Sequence, residues 1–161
     1  YSRSYRRRLP AETLLDAVCA VTEVKETFTG LPPDALAKQT WNHKLESQFM
    51  DAFGRPNASS ECPCERDAKP SVVQALHLMN STKLQDMLVN AQGRAARLAK
   101  SDAKPEQIIE ELYLACFSRL PDSEEMKIAT SAFTAKDATR QTAVEDVLWS
   151  LLNSAEFVFN H

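Results

Sequence analysis

Two cysteines separated by one proline, Cys62-Pro63-Cys64, stand beside Glu65 and Arg66 and are the residues most suited to chemistry. As thiolates they supply two metal ligands, whereas structural zinc takes four. The remaining ligands would come from His43, His77 or acids such as Glu61 and Asp67. As a disulfide they would close a very small ring against the preferred geometry, and such strained bonds are the redox-active ones. As reduced thiols they would be plain loop residues. Metal binding, a disulfide or redox pair, and inert cysteines therefore stand as the three readings, with metal the least favoured.

Arg66 carries a guanidinium with five donors in a fixed fork, suited to anchoring loop carbonyls or a carboxylate. Trp41-Asn42-His43 combines a flat apolar face with polar edges, which fits stacking on a sugar or packing against another domain. His77 lies inside an apolar run and reads as a core or boundary residue. Cys19 and Cys116 fall on apolar helix faces and read as buried small hydrophobes, with a mutual disulfide as the alternative. The pattern Cys-x-x-Cys-His, which attaches haem, does not occur, and neither does a phosphate loop, a serine-hydrolase elbow or a His-Glu-x-x-His helix. No cofactor is expected in this segment.

The elements that must position these groups are helices. Glycine occurs 3 times against 8 prolines, and apolar residues recur at spacings of three and four. The chain is predicted all-α, an irregular bundle of about six to eight helices with one long cysteine-containing loop over residues 55–70. The first helix opens near Pro10 with Leu14, Leu15, Val18, Cys19 and Val21 on one face. A short helix spans about Lys44 to Ala52 and stops at Phe53-Gly54-Arg55-Pro56. Another carries Val72, Val73, Ala75, Leu76 and Met79. Thr82 with Gln85 forms a capping box for a helix running through Leu84, Met87, Leu88 and Ala91 toward Leu98. Pro105 starts a helix that Pro121 forbids to continue. Asp122 with Glu125 and Thr142 with Glu145 cap the last two. The final helix turns Val144, Val147, Leu148, Leu151 and Leu152 inward and leaves Trp149 for a neighbouring surface.

With 161 residues, 43% of them hydrophobic and 25% charged, the chain suits one domain with a real core, residues 1–161. A net charge of -3 argues against nucleic acid as a partner, and Arg3, Arg6, Arg7 and Arg8 read as a solvated or domain-contacting cluster. No apolar run approaches the roughly 20 residues of a membrane span. The first residue is Tyr1, not Met, as in a piece of a longer chain or a processed protein.

Several segments, in order, resemble the C-terminal part of the planctomycete domain of unknown function 1553. They are Arg7-Arg8-Leu9 with Leu14-Leu15-Asp16-Ala17, Phe53-Gly54-Arg55-Pro56, Cys64-Glu65-Arg66, Gln74-Ala75-Leu76-His77-Leu78-Met79-Asn80, and Leu151-Leu152-Asn153-Ser154-Ala155-Glu156-Phe157-Val158-Phe159-Asn160-His161. The resemblance implies an exported, periplasmic or extracellular multidomain protein that often also carries a domain of unknown function 1549 and a cytochrome c like domain. It implies no catalytic residue. The favoured expectation is a noncatalytic helical module, not an enzyme by itself, that packs on or positions upstream domains of the same chain through its basic start, Trp41 and Trp149. The alternative is part of the active site of an extracellular redox-linked or polysaccharide-acting enzyme, completed by those upstream domains, with a polysaccharide as the further partner.

Overall fold

Helix α1, Ala11–Thr22, begins where Pro10 turns the chain with ψ 148, and its spacing buries Leu14, Leu15, Val18 and Val21. These coordinates are a computed structural model, which describes residues 7–40, 47–53 and 81–160. The helix stops at Glu23, whose φ of 60 leaves the helical region. Its flank then organises the next segment: the Asp16 carboxylate accepts the N–H groups of Ala37 and Lys38 at 2.6 and 3.1 Å. That carboxylate serves as a cap, from outside, for the 3-10 turn Ala37–Gln39. Helix α2, Gln48–Ala52, starts later than the expected Lys44. Ser47 is extended at φ -153 and its hydroxyl accepts the Met50 N–H at 3.3 Å, so the helix cannot run through it. Phe49, Met50 and Phe53 are buried behind it, with the two phenylalanine rings stacked at 4.8 Å. The cysteine-containing loop and the helix expected around Val72 to Met79 lie outside the described residues.

The single helix expected from Thr82 toward Leu98 is two. Helix α3 is Thr82–Leu88 and helix α4 is Arg94–Lys100. Between them the Asn90 side chain accepts the Gln92 N–H at 2.9 Å, and the Gly93 N–H returns to the Asn90 carbonyl at 2.9 Å. That local turn competes with helix and wins. Gly93 suits the site, because a Cβ would sit tightly, 3.1 Å from the Thr22 carbonyl oxygen and 3.2 Å from Val24. The cap of α3 is Ser81 and not Thr82: Ser81 is extended and accepts the Leu84 N–H at 3.3 Å, which makes Thr82 the first helical residue.

Helix α5, Pro105–Phe117, has proline in its first turn and ends at Ser118, which adopts φ 57. Helix α6, Ser123–Phe133, carries the expected reciprocal cap: Asp122 accepts the Glu125 N–H at 2.8 Å and Glu125 accepts the Asp122 N–H at 2.8 Å. Helix α7, Arg140–Leu152, is capped by Thr139 with Thr142, three residues before the expected Thr142 and Glu145. The Thr139 hydroxyl accepts the Thr142 N–H at 3.1 Å, and Glu145 instead receives the Gln141 amide. Helix α8, Ala155–Val158, follows at once from a Ser154 cap. Two-residue strands, β1 Arg7–Arg8 and β2 Phe159–Asn160, then pair antiparallel with Arg8 opposite Phe159. An all-helical expectation left this clasp out, and Pro10 accounts for part of it by holding the residues before α1 out of the helix. The fold is all-α, with eight α-helices among the described residues. None of them is long and apolar enough to cross a membrane.

Two helices organise the core. Helix α7 packs against α3, α4, α5, α6 and α8, while α1 packs against the 3-10 turn, α2, α3, α4 and α5. Val144, Leu148 and Leu152 of α7 are fully buried and join Leu14, Ile108, Ile109 and Leu112 in one cluster. Leu148→Ala removes a side chain with no solvent exposure from the helix that touches most others. It is expected to cost about 2 to 5 kcal/mol of unfolding free energy, read by denaturant titration.

Candidate functional site

The sequence-derived candidates divide sharply. Trp41, His43, Cys62, Cys64 and Arg66 lie outside the described residues, as does His77. Trp149 is described: it sits on α7, half-buried and packed against the core. Cys19 on α1 and Cys116 on α5 are both free thiols, so the mutual disulfide is not formed. Burial pushes the Cys116 thiol up to about 12 and raises that of Cys19 as well. The thiolate, the form that attacks or ligates, is therefore suppressed at both. Among the described residues, no group of three or more His, Cys, Asp or Glu is arranged to hold a metal ion.

Sequence reasoning passed over Arg94, Arg97, Arg119 and Arg140, which make dense polar geometry among the described residues. Arg119 follows the left-handed Ser118 at the end of α5 and grips two carboxylates from different helices. It donates to both oxygens of Glu125, each at 2.7 Å, and to both oxygens of Glu156 at 2.7 and 2.8 Å. Its guanidinium lies over the rings of Tyr113 and Phe117, 5.6 and 5.5 Å from their centroids. The bidentate hydrogen bonds from Arg119 hold the Glu125 carboxyl down to about 2, with the Asp122 N–H assisting. Burial raises the Tyr113 phenol.

Arg94 and Arg97, one turn apart on α4, share Glu23 and Glu111. Arg94 donates to Glu111 at 3.0 Å and, through Nε, to the Val21 carbonyl at 2.6 Å, satisfying an orphan acceptor at the end of α1. Arg97 donates to both oxygens of Glu23 at 3.0 Å and to Glu111 at 2.7 Å, and its hydrogen bond holds the Glu23 carboxyl below its usual range. Arg140 donates to the carbonyls of Ala99 and Ser101 at 3.0 and 2.9 Å and also to Ala103, closing the end of α4. Position alone hinted at one of these contacts, the Asp122 and Glu125 cap that leaves Glu125 beside the α5 terminus. The others join residues up to 74 apart and leave no local signal.

A concavity lies at this end of the bundle. It holds about 190 Å³ between α6 and α7, over a floor of Tyr113, Ala129, Val147 and Leu151.

The described geometry defines a helical bundle whose arginines tie helix to helix and helix end to carbonyl. The chain belongs to the family PSD1, Protein of unknown function (DUF1553), whose model matches residues 1–133. No curated protein and no solved structure matches it. The matched region ends at the last residue of α6, so α7, α8 and the closing run from Leu151 lie beyond it.

A carboxyl whose folded value is depressed contributes stability above its ordinary value, here 4.5, and loses it as pH falls toward about 2. Melting temperature should therefore fall through that window in the parent chain. Arg119→Ala should melt lower at neutral pH and decline less steeply in acid; parallel curves would show that the clamp does not set the Glu125 titration.

Proposed function

We propose that this chain is a noncatalytic helical module, one domain over residues 1–161 at the C-terminal part of a longer exported planctomycete protein, in the periplasm or outside the cell. It packs on the other domains of that polypeptide and positions them. The observation that carries the reading is the engagement of Arg94, Arg97, Arg119 and Arg140 in contacts between helices and with helix ends. Such side chains brace a scaffold rather than receive a ligand. The suppressed thiolates of Cys19 and Cys116 point the same way. Location and neighbouring domains are supported by the sequence resemblance.

The reading is tested on the protein as its source produces it, by cross-linking mass spectrometry and elemental analysis of one sample. Cross-links from exposed lysines of this chain, such as Lys100, Lys127 and Lys136, into other domains of the same polypeptide are expected. Absence of any interdomain link, or one equivalent of metal lost on Cys62→Ser with Cys64→Ser, would overturn it.

A further inference from the structure

The concavity between α6 and α7 exists because the facing positions are small. Ala129, Ala132 and Ser150 leave the space open, and Val147 and Leu151 give it an apolar base. Ile128 stands at its edge with 69% of its surface exposed, the most exposed large apolar residue described. A β-branched apolar side chain in water thus stands beside a small concave seat with an apolar base. At about 190 Å³ the gap accommodates one large side chain, since cavities of about 150 Å³ admit a benzene ring.

Its charge selects the occupant. The lining holds two carboxylates, Glu125 and Asp146, and no basic side chain. Glu125 is already held by Arg119, which also holds Glu156, so the acidic group of the lining left for an occupant is Asp146. Asp146 lies on the exposed side of α7, and among the described residues no ion pair engages it. An apolar seat with an unneutralised carboxylate at its edge favours an apolar side chain accompanied by a cation. We infer that this groove receives a peptide segment of a partner domain that presents a leucine- or phenylalanine-sized side chain beside a lysine or arginine. The inference rests on the packing-module reading and gives that module its docking face.

The experiment is selection of random peptides displayed on phage against the folded chain, followed by titration of the enriched peptides as synthetic probes. Enriched peptides should pair a large apolar residue with a basic one. Their binding should weaken roughly tenfold or more with Asp146→Lys and with Ile128→Asp, both at exposed positions that leave the core intact. Acidic or purely apolar winners, binding indifferent to both substitutions, or no enrichment would overturn the assignment. A dimer in sedimentation that either substitution dissolves would also overturn it, in favour of a second copy as occupant. Interdomain cross-links together with a groove that selects nothing would remove the groove and leave the module reading standing. Groove-dependent selection without interdomain cross-links would do the reverse.

Discussion

Helix α7 must bury one continuous apolar face, and the rest of the described structure is arranged around that requirement. Helix α7 buries Val144, Val147, Leu148, Leu151 and Leu152 and packs against α3, α4, α5, α6 and α8, of which α3, α4 and α5 also pack on α1. An amphipathic helix of 13 residues has little stability alone and gains it from such packing. The dependence runs both ways: α3, α4 and α8 are short, with 7, 7 and 4 residues, and none would persist without a partner surface. The family match stops at residue 133, yet the core does not. The physical unit therefore extends past the matched region.

Short helices create a second demand, because each end leaves backbone groups without intrahelical partners. N-termini are served locally by Ser47, Ser81, Asp122, Thr139 and Ser154. Several C-terminal carbonyls are served from a distance by guanidinium groups, as when Arg94 reaches Val21 and Arg140 reaches Ala99. Arginine suits this task because one planar group can satisfy a carbonyl and a carboxylate together. The same groups that carry charge are thus committed to the architecture. Where the α6 and α7 faces part, Asp146 stands beside an apolar groove.

The helical class and the inward face of α7 were legible because burial imposes a period that single residues cannot hide. Pro105 and the Asp122 with Glu125 pair marked their helices correctly, since both act through neighbours in sequence. Adjacent capping residues misled: Ser81 with Thr82 offers two consecutive capping residues, and the backbone conformation chosen by packing decides which one caps. The break at Asn90 to Gly93 was hidden inside an apolar pattern compatible with one long helix, and only the approach of Thr22 and Val24 reveals why it closes there. Arginine contacts across 37 and 74 residues are set by tertiary packing and have no sequence period. Of the interaction candidates, Trp149 proved half-buried against the core, while Trp41, His43, Cys62, Cys64 and Arg66 stand outside the described residues.

The dependence of the fold on α7 is tested most directly by ending the chain after Phe133, at the limit of the family match, and following thermal unfolding by circular dichroism with amide NMR dispersion. The account predicts a chain without a cooperative transition and with collapsed dispersion, because the four remaining helices α3, α4, α5 and α6 lose their common partner. A truncated chain that melts cooperatively near the temperature of the full chain would contradict it.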